Sequence, residues 1–588
     1  MLTILLCALV SVAVPARAAP TVAVAPAATP TAAPAVGVPA EPSTPPRTFW
    51  EAAQPSAGTP EQAAALLATS MSDAELLGQT MFLGYIGTSP SGEIRAAIRD
   101  RGIGGVKIFS RNVAGLEALA RDVAAMQRLA QSTRLSVPLL VATDQEGGWV
   151  RHVKHETSIT PGNLAIGAGG LPHDAYLTGW YLGRELAALG INMDFAPTAD
   201  TYSDPEAAVI GPRSFGSDPA AVGLLSAAYA AGLTRAGIIA TAKHFPGHGS
   251  ADRDSHGKLP VIRVDLDTLL ARDLVPYRIL AREGIPAVMS GHLAFPDILG
   301  DLTPASLSPF LLRTVLRERI GFRGIVVTDD MEMEGALNGT LDVATACRLA
   351  LEAGNDMLLL SHSPPSQEKV WRALSDAMAR EPAFRRVVLE AATRVLATKL
   401  RTLGARGSDA LFPDPDRVAA SVPAAGAAAF FRQSAARAVT LVAGARIPWR
   451  PAKRERVLLC GQIDEFFAEG LARWPDADSL PFSYEPFYGA NPDDLERVPA
   501  RARGYDTVVF CLANYNSLEV LGRMRDLAPR LLVVSTLSPV HLGEASWIET
   551  AVAVYGTGRD SFRAGFAVLA GDIAATGRMP MSFSGDPP

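Results

Sequence analysis

The chain has 588 residues, more than one hydrophobic core serves and enough for two domains or more. Apolar residues make up 48 %, so a globular fold is expected. The formal net charge of −6 comes with no basic block, which argues against a nucleic-acid partner and identifies no substrate.

In chain order, Met1 to Val14 are nearly all apolar and Ala16-Arg17-Ala18 fits a small-residue cleavage site. Residues 1–18 therefore read as a secretory signal, too short to span a bilayer as a mature helix, and they predict an exported, periplasmic or secreted protein. One departure is that no Lys or Arg precedes the apolar core. Cys7 follows Leu6 rather than a small residue, which argues against lipid attachment. Residues 19–60 are rich in Ala and Pro and read as a linker.

From about Glu61 strands and helices alternate. The strand candidates are Met81–Ile86, Gly105–Phe109, Pro138–Thr143, Ile191–Ala196, Ile238–Ala242, Ala287–Ser290, Ile325–Thr328 and Met357–Leu360. Amphipathic stretches such as Gly115–Ala130, Asp174–Leu189, Ala220–Ala236, Leu266–Arg282 and Leu341–Ala353 lie between them. This predicts an α/β chain whose first domain, 61–402, is a (β/α)8 TIM-like barrel closed by a helix around Arg394–Thr402. Several strands run into polar residues: Asp144, Asp200, Lys243 with His244, His292, Asp329 with Asp330, and Ser361 with His362. Groups at strand C-termini converge on one face of a barrel, whereas an open doubly wound sheet gathers its site at one switch point. Residues 403–429 read as a second linker. Residues 430–588, with strands at Val439–Val442, Val457–Leu459, Thr507–Leu512, Leu531–Ser535 and Ala551–Tyr555, predict a smaller parallel α/β sandwich. It has no Gly-rich phosphate loop, so no nucleotide is expected. Cys347, Cys460 and Cys511 form no disulfide framework, and Cys460 and Cys511, each at the end of an apolar strand-like run, are expected to be buried and inert.

The most informative segment is Lys243-His244-Phe245-Pro246-Gly247-His248-Gly249, followed by Asp254-Ser255-His256. It is expected to be a loop that starts where the strand Ile238–Ala242 ends. The Asp254-x-His256 spacing lets a carboxylate hold an imidazole N–H and raise its basicity, so His256 with Asp254 is the best acid–base candidate. Lys243 and His244 leave a buried strand, where charge is costly unless paired or used. His248 either braces the loop or acts in it. Asp329 ends an all-β-branched run and suits a nucleophile, base or ligand; helix capping is the rival role, for which Asp330 is better placed. Asp144, before Gln145-Glu146-Gly147-Gly148, suits a hydroxyl-rich ligand or a turn equally. Arg213 sits in a Gly/Pro-rich loop, and the local sequence does not separate binding from solvation. Metal binding ranks behind these readings, because no His-x-x-x-His on a helix, Cys-x-x-Cys or other recognised metal spacing occurs.

These motifs resemble glycoside hydrolase family 3, in its β-N-acetylglucosaminidase branch. The resemblance starts at Met71–Gln79 and takes in Gly105–Phe109, Asp144–Gly148, Arg213–Gly216, Lys243–Gly249 with Asp254–His256, Val327–Asp330 and Ala353–Asp356; Ala551–Pro580 resembles the end of the family's second domain. It implies a retaining enzyme with Asp329 as nucleophile and His256, polarised by Asp254, as acid/base in place of the usual second carboxylate. It also implies that Asp144, Arg213, Lys243 and His244 bind the non-reducing sugar, with no metal or organic cofactor. The chain departs from the family after the paired glycines, where Trp149-Val150-Arg151-His152 puts His152 at the position of a sugar-binding arginine. The expectation is an exo-acting β-N-acetylglucosaminidase acting on cell-wall muropeptides or chitin-like oligosaccharides. The alternatives are a phosphorylase or β-glucosidase of the same family, and a non-catalytic wall-binding protein.

Overall fold

The computed structural model describes residues 48–207, 209–251, 258–484 and 489–583. Ten strands belong to the first half: β1 (Met81–Leu83), β2 (Gly105–Lys107), β3 (Leu140–Thr143), β4 (Gln145–Gly147), β5 (Val150–Arg151), β6 (Met193–Asp194), β7 (Ile239–Phe245), β8 (Ala287–Ser290), β9 (Ile325–Asp330) and β10 (Met357–Leu360). Eight of them close a barrel in the order β1-β10-β9-β8-β7-β6-β3-β2, and β4 and β5 form a separate hairpin. The barrel pairs are parallel, as they must be when a helix returns the chain to the start of each next strand. Phe82, Leu140, Met193, Phe195, Ile239, Met289, Val327 and Leu359 fill the interior. All eight predicted barrel strands are present.

Two strands run further than their apolar runs foretell. β7 continues to Phe245, so Lys243 and His244 lie in the strand and not in the following loop, and β9 continues through Asp329 and Asp330. Each strand also has a register break at that point. Ala242 and Phe245 pair with Val288 and Ser290, and Val327 and Asp330 pair with Met357 and Leu359. One extra residue in each strand is a β-bulge, which upsets the inside–outside alternation and re-aims side chains.

The expected linkers are folded where they are described. Phe49 and Ala52 are buried in a short helix, Phe49–Ala52, and the Phe49 N–H donates to the Leu135 carbonyl at 2.8 Å. Trp50 and Phe412 pack with Leu403 and Leu411 against the barrel interior. An indole and a phenyl ring can close the barrel floor, so neither segment is free chain. The predicted helix Leu266–Arg282 is two helices, Leu266–Ala271 and Val275–Arg282, with Asp273 buried at the break.

The second half has six strands: β11 (Thr440–Gly444), β12 (Val457–Gly461), β13 (Asp478–Pro481), β14 (Thr507–Leu512), β15 (Leu531–Thr536) and β16 (Thr550–Tyr555), in the sheet order β11-β16-β15-β14-β12-β13. The prediction had five parallel strands; β13 is additional and β11 runs antiparallel to β16. The central strands are apolar on both faces, with Leu458, Phe510 and Val533 in one core and Leu459, Val509 and Val534 in another. Cys347, Cys460 and Cys511 are free and buried. No helix among the described residues is long and apolar enough to cross a membrane.

Candidate active site

A buried ion network lies at the C-terminal ends of β2, β3 and β7. The Lys243 ammonium sits 2.5 Å from Asp144 Oδ1 and 2.5 Å from Glu146 Oε1. Lys107 Nζ, from β2, lies 2.5 Å from the other Asp144 oxygen, Oδ2. Arg213 donates twice to Glu146, Nε to Oε2 at 2.9 Å and Nη2 to Oε1 at 2.8 Å, and Thr198 Oγ1 donates to Oε2 at 3.0 Å. Burial alone pushes the Asp144 carboxyl up, but Lys107 and Lys243 hold it well below its ordinary value. Glu146 is likewise penalised by burial, yet Arg213 and Lys243 bring it down to about 2. For Lys243, burial works against the charge, and Asp144 and Glu146 outweigh it and raise its pKa. A nearby third acid behaves in the opposite way. Burial, with Asp144 and Glu146 adding to it, lifts Asp194 well above the carboxylate range, although Gln145 N–H donates to it at 2.9 Å.

The hairpin places these groups. Gly147 and Gly148 have φ of 88° and 60°, values that favour glycine, and the Gly148 Cα faces the Gly162 backbone too closely for a larger residue. The paired-glycine turn is thus as predicted, and it brings Asp144 and Glu146 to the same lysine.

Asp200 organises the end of β7. Its carboxylate accepts the His244 N–H at 3.1 Å, the His248 N–H at 2.8 Å and His244 Nδ1 at 2.7 Å. His244 Nε2 lies 3.2 Å from Arg213 Nη2. A guanidinium can only donate and a carboxylate can only accept, so the two contacts fix the His244 ring between Arg213 and Asp200. The backbone of His248 braces the loop, and burial drops its imidazole to about 4. Arg213 is therefore not a solvated loop residue; its side chain is only 12 % exposed, in a short 3-10 turn at Gly211–Arg213.

Asp329 stands at the β9 bulge. Burial pushes its carboxyl up, but the field of His244, His292 and Lys107, with the Asp330 N–H donating to Oδ1 at 2.8 Å, leaves it below its ordinary value. An ionised carboxylate is what a nucleophile needs. Lys107 and His244 thus tie Asp329 to the network around Asp144. Asp330 is not a helix cap: the next helix starts at Glu334, and Asp330 accepts from Glu332 N–H at 3.0 Å while its other oxygen meets Ser361 and His362. His152 lies on the rim, with Nε2 3.5 Å from Asp144 Oδ2 and its ring 4.9 Å from that of Phe109. Asp254 and His256 lie outside the described residues.

The structure thus brings Asp144, Arg213, Lys243, His244 and His152 together, and Asp329 ends a strand on the same face of the barrel. Lys107, Glu146 and Thr198 join them without having been singled out from the sequence. Glu146 had one available signal, its place on a strand-end turn with paired glycines. Lys107 had another, as a charged residue inside an apolar strand.

Glu146→Gln should destabilise the fold by about 3 kcal/mol at neutral pH, because it leaves two buried cations short of charge. The folded carboxyl titrates at about 2 against an ordinary 4.5, so its contribution is complete above pH 4.5 and is lost as pH falls through 2. The wild-type and variant denaturation midpoints should therefore converge over that window. A constant gap would remove Glu146 from the network.

A closed barrel with carboxylates, lysines and histidines at its strand C-termini is a barrel enzyme. Residues 73–398, more than half of the chain, match the Glycosyl hydrolase family 3 N terminal domain, and the protein belongs to that family of glycoside hydrolases. Over 253 residues it is 39 % identical to a β-hexosaminidase of Methylococcus capsulatus, covering 42 % of this chain and 74 % of that protein. Over 233 residues it is 39 % identical to a β-hexosaminidase of Neisseria gonorrhoeae, covering 38 % of this chain and 63 % of that protein, just under two thirds of its length. A solved family 3 β-N-acetylglucosaminidase from a Paenibacillus species superposes with a TM-score of 0.79 at 28 % identity, over 87 % of this chain and 99 % of that one.

Proposed function

We propose that the protein is an exported, exo-acting, retaining β-N-acetylglucosaminidase that releases terminal N-acetylglucosamine from cell-wall muropeptides or chitin-like oligosaccharides. The observation that carries this reading is the place of Asp329 at the end of β9, on the barrel face where Lys107 and Lys243 hold Asp144 and Glu146. Named β-hexosaminidase relatives supply the amino-sugar preference. Export rests on the apolar Met1–Val14 run and the Ala-Arg-Ala site.

In the mechanism, sugar hydroxyls bind to Asp144, Lys243, Arg213, His244 and His152. Asp329 attacks the anomeric carbon, the glycosidic C–O bond breaks, and the leaving oxygen takes the proton of His256. The resulting glycosyl ester is then attacked by water at the same carbon. His256 takes the water proton, and Asp329 leaves as a carboxylate. Two inversions retain the β configuration. Asp254 holds the His256 ring and stabilises its charged form.

One preparation assayed on aryl N-acetyl-β-glucosaminide, on aryl β-glucoside, with and without phosphate, and for binding without turnover tests this reading. Fast release of β-N-acetylglucosamine from the first substrate, independent of phosphate, is expected. Preference for the glucoside, a phosphate requirement, or binding alone would each replace it with one of the alternatives.

A further inference from the structure

Asp144 is held by two ammonium groups where one neutralises it. Lys243 takes Oδ1 and Lys107 takes Oδ2, each at 2.5 Å. Lys107 is the last residue of β2, and only 7 % of its side chain is exposed. Burying an ammonium is expensive, and a second one on a carboxylate already paired needs a further reason. Its other neighbours are ring faces, with Phe109 at 4.4 Å and Phe195 at 5.0 Å from Nζ to the ring centroid. Those rings attract the charge without accepting a strong hydrogen bond. An ammonium has three N–H groups, and the Asp144 contact uses one. Lys107 ends β2 and Asp329 lies at the end of β9, so both belong to the C-terminal face of the barrel, where a barrel enzyme binds its substrate. The neighbouring His152 is a weaker partner, 3.5 Å from the same Asp144 oxygen and 27 % exposed.

We propose that Lys107 is a sugar-binding residue. With an N-acetylglucosamine residue seated on Asp144, its ammonium donates to the ring hydroxyl that Asp144 accepts from, and this fixes the sugar edge that His152 holds only loosely. Paired contact of this kind requires a free hydroxyl there and selects against sugars lacking it. The proposal rests on the amino-sugar reading of the pocket.

Calorimetric binding of N-acetylglucosamine and its 3-, 4- and 6-deoxy analogues to wild type, Lys107→Met and Lys107→Gln tests it. A charge-assisted hydrogen bond corresponds to roughly 10- to 100-fold in affinity. Lys107→Met should weaken N-acetylglucosamine by about that factor, and should raise KM for the aryl substrate more than it lowers kcat. One deoxy analogue should bind wild type and variant equally, because its partner hydroxyl is already gone. If Lys107→Met does not fold, the near-isosteric Lys107→Gln is held to the same outcomes. An unchanged affinity overturns the proposal, as does an equal loss for every analogue, which would make Lys107 a partner of Asp144 alone. If wild type binds none of these sugars, the amino-sugar reading itself fails, and that result is visible before any variant is compared.

Discussion

Asp329→Ala should abolish turnover, by on the order of 10⁴ or more in kcat, with little change in melting temperature. The side chain sits at the end of β9 on a bulge, outside the apolar barrel interior, so its methyl replacement leaves no cavity in the core. Its loss also removes a half-buried negative charge, while Lys107 and His244 keep their own partners at Asp144 and Asp200. Stability and activity should therefore separate. A fluorinated N-acetylglucosamine-type inactivator should esterify Asp329, since slowing both displacement steps while keeping a good leaving group traps the glycosyl ester. The competing carboxylates are close in sequence but differently placed. Asp330 is tied to Ser361 and His362, and Glu332 accepts the His362 N–H at 2.7 Å and the Ser363 N–H at 3.1 Å. Mapping the label to either of them would overturn the assignment.

The parts of this site that were legible in the sequence share one physical cause. Apolar, β-branched runs such as Ile325-Val326-Val327-Thr328 show where a buried strand lies, and polar residues just beyond them mark the active face. That was enough to order eight strands into a barrel and to point to Asp144, Lys243, His244 and Asp329. It did not reveal the bulges in β7 and β9, because an extra residue changes register without changing composition. Lys243 and His244 consequently looked like loop residues. Arg213 could not be placed because its partner, Glu146, is 67 positions away. Strand β13, Asp478-Ser-Leu-Pro, was missed for the opposite reason: it is a mostly exposed edge strand with no apolar run. Trp50, in an Ala/Pro-rich neighbourhood, gave no local sign that it packs against the barrel interior with Phe412.

His256→Ala should slow poor leaving groups, such as a sugar or a muropeptide, by about 10²–10⁴-fold, and activated aryl glycosides far less. A nitrophenolate leaves without a proton, whereas a sugar alkoxide does not, so the loss of a general acid is felt in proportion to leaving-group basicity. Water attack on the glycosyl ester also loses its base, and with aryl substrates the ester should accumulate as a burst of released phenol. Asp254→Asn should give a weaker form of the same defect. Asparagine can still accept the ring N–H, but it cannot stabilise the imidazolium that forms when His256 takes a proton from water. The pH–rate profile of Asp254→Asn should accordingly move on the limb that reports His256, while KM stays near the wild-type value. The contrast with Lys107→Met is informative, since that change acts on sugar binding and should leave the leaving-group dependence unaltered. Equal losses on aryl and natural substrates in His256→Ala would reduce His256 to a positioning residue. The proton donor would then have to be another group, and the carboxylates of the second domain would be the first to replace.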